Sequence, residues 1–305
     1  MPALRSGFGD LLEPGFNQIY NDAYRELDRM FTQFFTVQNS TKQDERDSGV
    51  TGFGLLEEKQ ENAPIAYEDP IQLYDVLYTH ITYAKGFKIS KEMYDDDQYN
   101  VMNDKPRQLG VAARRTEETQ AANVYNRAFN TGYTGGDAVP LASTIHPRPD
   151  AGTAQSNASA TGITFGETNY ETGKLAMRRQ LDGRGQKIDV MPSILLIPEG
   201  LKKTADIVFK SNLRSGTADN DFNPYLNEVK VVEWLYMDRN QTHWFLLDGD
   251  QHKVTWFWRE QNNFSQDEAF ETDAALYKVR ERFSTGFSDW IGVWGSQGDG
   301  AAYSS

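Results

Sequence analysis

Apolar side chains recur every three or four residues between Asp10 and Phe35, at Phe16, Ile19, Tyr20, Ala23, Leu27, Met30, Phe31 and Phe34. That spacing predicts one amphipathic helix, its stripe docked on the chain's own core or, as an N-terminal arm, on a neighbouring molecule. Val37 to Gly49 is polar, charged and without period, which reads as a loop. From Val50 to Lys91 apolar residues return amid charge, and Tyr78-Thr-His-Ile-Thr-Tyr83 alternates as a strand does. Pro64, Pro70 and the polar run Glu57 to Glu61 interrupt this stretch, so it predicts a long two-stranded excursion with a charged tip. An isolated hairpin is marginal in water, so such an arm needs a surface to lie on.

Asp104 to Phe129 predicts the longest helix, with Asp104 as a cap, Pro106 near the first turn and Gly132 as the stop. At 1.5 Å per residue it would be a strut roughly 35 to 40 Å long. Asn130 to Thr161 is rich in Gly, Ser, Thr, Asn and Pro and reads as a long loop. A second helix is expected over Gly166 to Leu181, a buried strand over Ser193 to Ile197 and a helix over Leu201 to Lys210. Ser215 to Pro224 reads as a polar loop, and Glu228 to Tyr236 as a strand. Thr242 to Leu247 and His252 to Trp258 read as two strands of one hairpin turned at Asp248-Gly249-Asp250-Gln251. Asp273 to Trp294 is a final extended segment. Helices and strands are mixed without βαβ alternation, which indicates an α+β fold.

The chain has 305 residues, enough for one large domain or two smaller ones. Asp and Glu total 44 against 31 Lys and Arg, a formal net charge of −13, which disfavours tight nucleic-acid binding by the surface as a whole. There is no cysteine, so disulfides, thiol nucleophiles and cysteine metal sites are excluded. No secretory signal opens the chain and no stretch approaches 18 consecutive apolar residues.

Candidate chemistry is sparse. His80, His146, His243 and His252 include no pair with metal-ligand spacing on one helix, and His80 and His243 read as ordinary packing or surface residues. No P-loop, GxGxxG or GxSxG motif is present. Asp95-Asp96-Asp97 could ligate calcium through hard oxygens but lacks EF-hand spacing and reads as a solvated turn. Asp248 and Asp250 read the same way. Glu117 and Glu118 read as an exposed charged face of the long helix, paired at the surface with Arg114 and Arg115. The six tryptophans, Trp234, Trp244, Trp256, Trp258, Trp290 and Trp294, read as core. No catalytic, cofactor-binding or metal-binding residue is assigned.

Three segments together carry a resemblance. The first is Asn130 to Pro147, with Asp137, Leu141, His146 and Pro147 in order and Asn157 beyond. The others are Ser193 to Lys210 and the closing Tyr277 to Trp290. In combination they resemble major capsid proteins of tailed bacteriophages, in particular the Mu-like major head subunit group. The resemblance implies the Hong Kong 97-type capsid fold. Mapped onto this chain, it implies an N-terminal arm (1–49), an extended loop (50–89) and a peripheral domain (90–191) with a spine helix (104–129). An axial domain (192–260) and a return to the peripheral domain (261–305) would follow.

It further implies a non-enzymatic subunit without a cofactor that assembles with itself as pentamers and hexamers into an icosahedral shell. That shell would enclose double-stranded DNA without sequence-specific binding. The implied partners are a separate scaffolding protein, since the chain begins almost at the arm, a portal and a decoration protein; no membrane is involved. Assembly is expected in the bacterial host cytoplasm. Two other readings stand beside it: a cellular nanocompartment shell of the same fold, and a non-catalytic ligand-binding protein whose tryptophans line a groove. Like-charged subunits repel, so salt is expected to favour assembly.

Overall fold

The computed structural model describes residues 6–90, 92–93, 101–213, 221–238, 242–269 and 274–299. Helix α1 (Ser6–Glu26) is followed by a short 3₁₀ turn (Phe31–Gln33), then β1 (Thr36–Asn39), β2 (Asp44–Val50), β3 (Gln72–Thr79) and β4 (Ile81–Ile89). The long helix α2 (Val101–Asn126) and α3 (Glu167–Arg178) come next, then β5 (Ile194–Ile197), α4 (Lys202–Lys210), β6 (Lys230–Glu233) and β7 (Trp244–Leu247). The chain closes with β8 (Val254–Ala269), β9 (Ala274–Phe287) and β10 (Val293–Ser296). The described strands form one sheet ordered β1-β8-β9-β4, a second ordered β10-β7-β5-β6, and a two-stranded ribbon, β2-β3. This is the expected α+β fold.

The second sheet explains the continuous apolar runs. In β5 and β7 every residue is buried. Ile194, Leu196, Phe245 and Leu247 face a core shared with α2 and the first sheet, where Phe31, Phe34, Tyr125, Trp234, Trp256 and Phe283 meet. Leu195, Ile197, Trp244 and Leu246 face the opposite core, built with Tyr170 and Met177 of α3 and Phe209 of α4. Side chains of a strand alternate faces, so a strand covered on both sides must be apolar throughout.

The long helix runs three residues earlier than expected at each end, and its buried face is Leu109, Ala113, Ala121, Ala122 and Tyr125. It crosses α1 closely: a Cβ at Gly110 would lie 2.6 Å from the Tyr20 carbonyl oxygen. The first helix stops at Glu26 instead of reaching Phe35. The Glu118 carboxylate accepts the amide of Met30 at 2.7 Å, which turns the chain and sends Phe31, Phe34 and Phe35 into the main core off the helix axis.

Four further expectations fail for identifiable reasons. Val37 to Gly49 is not a loop: it supplies most of β1 and β2, which are largely exposed and so need no apolar alternation to pair. Tyr78 to Tyr83 is not one strand: it breaks at His80, where β3 leaves the ribbon ladder and β4 joins β9. The excursion is therefore β2 and β3 with the irregular chain between them. The turn at Asp248 to Gln251 does not close a hairpin: β7 pairs with β5 and β10, and β8 with β1 and β9. There the Asp248 carboxylate accepts the amides of Asp250 and Gln251 on one oxygen and of Met191 on the other, so it caps a crossing between sheets. Finally, β8 continues past Trp258 to Ala269 through a polar sequence, as one arm of a long antiparallel pair with β9.

Candidate functional site

Three constellations hold the functional geometry. The first is a buried polar seam joining α1, α2 and β9. Glu117 and Glu118, expected at the surface, are buried. Glu117 accepts Arg29 Nε at 3.0 Å and Arg114 Nη1 at 2.8 Å, and receives the Tyr24 hydroxyl on its other oxygen. Arg114 also donates to the Tyr24 carbonyl and lies over the Tyr24 ring, 4.1 Å from its centre. Glu118 accepts the Trp234 indole N–H at 2.7 Å. Burial pushes the Glu118 carboxyl upward against these hydrogen bonds. Glu281 of β9 is buried against the same seam; burial first, then the negative Glu117 beside it, pushes its carboxyl up to about 8. Of the expected surface pairs only Arg114–Glu117 forms, and it forms inside; Arg115 is exposed.

A sequence signal for this seam exists in hindsight. Leu109, Ala113, Glu117, Ala121 and Tyr125 are spaced by four, so Glu117 lies on the apolar stripe itself.

The second constellation is the long loop after α2, where the motif residues converge. His146 binds Asp137 through Nδ1 at 2.7 Å and Asn157 through Nε2 at 3.0 Å. Asn157 in turn donates to the Leu141 carbonyl at 2.7 Å and accepts the Ser143 amide. The imidazole stacks on Trp290, ring centres 4.6 Å apart. Leu141, His146 and Asn157 are fully buried. No nucleophile stands beside this dyad among the described contacts; it is a staple that orders a loop too polar to order itself.

The third is the ribbon. Residues 51–71, beyond β2 and β3, carry no strand or helix. They expose Leu56 at 99% and Tyr67 at 94%, together with Phe53, Leu55 and Ile65. The far end of the ribbon, where residues 51–71 begin and end, is tied to the body by Arg184, which donates to the Thr51 hydroxyl at 3.0 Å, to the Asp69 carbonyl and to the Glu68 carboxylate. The Tyr78 hydroxyl meets Ser288 at 2.7 Å. Gly136 approaches the ribbon so closely that a Cβ would lie 2.7 Å from the Asp75 carbonyl oxygen. Nothing in the residue types marks Arg184 or Tyr78 for this duty, because their partners are distant in sequence.

The remaining candidates fall out as follows. Asp95, Asp96 and Asp97 lie outside the described residues. Among the described residues no group of three or more His, Asp or Glu could hold a metal ion, and no helix is long and apolar enough to cross a membrane. His243 is buried with neither ring nitrogen hydrogen-bonded, and burial pushes its pKa down to about 4, so it packs as a neutral ring. His252 bridges the Asp248 and Phe34 carbonyls. All six tryptophans are buried, as core residues, and Trp290 also borders a cleft beside Arg148 and Asp289.

With this geometry in place, comparisons with known proteins become informative. Residues 73–296 match the family model described as "Phage capsid protein". No curated protein matches the sequence. Among solved structures, the mature capsid of bacteriophage PhiM1 is similar with a TM-score of 0.61 at 9% identity, covering 89% of this chain and 87% of that one. The capsid of cyanophage P-SCSP1u gives 0.58 at 10% identity, covering 88% and 87%. A virus-like particle from Pyrococcus furiosus gives 0.55 at 10% identity, covering 92% and 97%. At such identities these are likenesses of fold.

Proposed function

The chain belongs to the phage capsid protein family and is a structural subunit of the capsid shell, and on that premise we propose how it builds one. Copies assemble as pentamers and hexamers into an icosahedral shell around double-stranded DNA, each ribbon lying across the next subunit. The observation that supports this reading is the ribbon itself. Leu56 and Tyr67 bury almost nothing against their own chain and Leu55 and Ile65 are mostly exposed, while Arg184 and Gly136 hold the ribbon in place. Apolar area held out on a fixed arm is stabilising only when a second molecule covers it.

On this reading α1 is the packed part of the N-terminal arm, α2 is the spine, and β5, α4, β6 and β7 belong to the axial region, 192–260. A separate scaffolding protein, a portal and a decoration protein complete the particle, assembled in the host cytoplasm. The net charge of −13 suits a container that holds DNA by confinement and releases it. No enzymatic step is required of any residue.

The test is to express the full chain and follow its mass by light scattering, with negative-stain microscopy across a salt series. Capsomers, tubes or shells that increase with salt are expected. A monomer at every salt and concentration, with and without scaffolding protein, would overturn the reading. Particles holding a cargo enzyme and no DNA would instead identify a cellular compartment.

A further inference from the structure

The ribbon joins the body through two connections of unequal length. On one side four residues, Ser40 to Gln43, separate β1 from β2; on the other a single residue, His80, separates β3 from β4. The two ladders end on either side of this point: Asp44 pairs with Thr79 in the ribbon, and Ile81 with Phe283 in the body. One imidazole spans the gap. His80 Nε2 lies 3.0 Å from Ser40 Oγ on the first connection, and Nδ1 lies 2.9 Å from Ser284 Oγ on β9. The ring packs edge-on to Phe257 of β8, and Arg282 donates to the His80 carbonyl. Ser40, His80 and Ser284 are all buried.

Counting protons assigns the ring. Ser40 Oγ donates its one hydrogen to Glu45 Oε1 at 2.7 Å and accepts the Lys42 amide, so toward His80 it can only accept. Nε2 therefore carries the proton, and Nδ1 accepts the Ser284 hydroxyl. A second proton on the ring would turn Nδ1 from acceptor to donor, so the Ser284 hydroxyl would have to rotate and give up the bond it now donates, and it would set a positive charge beside Arg282 in a buried place.

We propose that His80 is the latch that fixes the ribbon to the body, closed by its neutral ring between Ser40 and Ser284 and loosened when the ring takes up a proton. The charged groups facing it are Arg259 of β8, Arg282 of β9, Asp44 and Glu45 of β2, and Lys42 on the connection; β1 contains none. Burial, then Arg282, holds the ring below the ordinary histidine range, against Glu45 and Asp44. A depressed histidine favours the closed form above its ordinary pKa and gives that preference up as pH falls below it. His243 is depressed in the same direction and responds over the same window, but it packs against Phe245 of β7 and so bears on unfolding of the whole chain and not on the ribbon alone.

The latch belongs to the single chain and goes beyond the shell reading. Failure to assemble in salt would overturn that reading and leave the latch standing. The test is hydrogen exchange on the full-length chain at pH 7.5 and 5.5, corrected for intrinsic exchange. Peptides from β2 and β3 are the reporters, and β9 is the internal reference. The ribbon is expected to lose protection relative to β9 at the lower pH, by at most about tenfold, the limit for one histidine whose ordinary pKa is near 6.5. His80→Gln keeps an uncharged amide toward Ser40 but loses the acceptor for Ser284, and is expected to remove the pH response at a protection close to that of Ser284→Ala at pH 7.5. Ser284→Ala is expected to lower ribbon protection at pH 7.5 and shrink the response. Equal wild-type protection at the two pH values would overturn the proposal, as would a pH response that survives in His80→Gln.

Discussion

At the scale of single residues, Glu117 and Glu281 show two ways of burying a carboxyl group. Glu117 is compensated by two arginines and a tyrosine hydroxyl, while an oxygen of Glu281 is buried without a partner. The proton that Glu281 holds in the fold leaves it in the unfolded chain. Stability is therefore intact below the ordinary carboxyl pKa and is lost as pH rises toward about 8. Glu281→Gln should remove that slope, so that thermal unfolding of the variant gains on the wild type between about pH 5 and 8, by at least ~1 kcal/mol at the upper end. Glu117→Ala should do the opposite and destabilise by about 3 to 5 kcal/mol in denaturant unfolding, because it strands Arg114, and in part Arg29, without a counter-charge. Equal stability of the Glu117 variant would mean that the arginines find other partners. The sequence showed Arg114 and Glu117 at pairing distance along the helix. The spacing of four put Glu117 on the apolar stripe; what it meets there depended on α1, which is not part of the local pattern.

At the scale of elements, helices were legible and the edges of sheets were not. The repeats in α1, α2 and α3 follow from one buried stripe per helix, and β5 and β7 announce themselves because both faces are covered. The ribbon strand Asp44-Glu-Arg-Asp-Ser-Gly-Val50 carries no such mark, since its pairing is a matter of backbone and partner. Two substitutions test what holds these elements. Gly110→Val should destabilise by about 1 to 3 kcal/mol, read by thermal unfolding, because its side chain meets the α1 backbone at the crossing. Arg184→Ala should shift global stability by less than about 1 kcal/mol, since Glu68 is partly exposed, yet expose residues 51–71 to faster hydrogen exchange. Unchanged exchange there would show that Tyr78 and Gly136 suffice to hold the ribbon.

At the scale of the molecule, the ribbon makes sense only in company. Leu55→Asp with Leu56→Asp should leave the circular dichroism and melting of the isolated chain nearly unchanged, because these side chains touch little of it. The same pair should abolish the salt-driven rise in particle mass, measured by light scattering. Assembly at wild-type levels would place the contact elsewhere. With a net charge of −13 on every copy, the wild-type chain should assemble more readily as salt shortens the screening length from about 10 Å at 0.1 M.

The sequence alone determined the α+β class, the spine helix, the buried strands, the absence of thiol chemistry and the order of segments that resembles a phage capsid protein. These properties follow from local spacing and composition, which every chain displays whether folded or not. The tertiary structure decided that the Asp248 turn crosses between sheets, that the strand through His80 breaks, that Glu118 lies inside and which groups Glu117 meets there, and that Asp137, His146 and Asn157 meet. Each of those depends on a partner contributed by another part of the chain. Spacing along the sequence encodes which face a residue occupies, and only the packed fold supplies what that face meets.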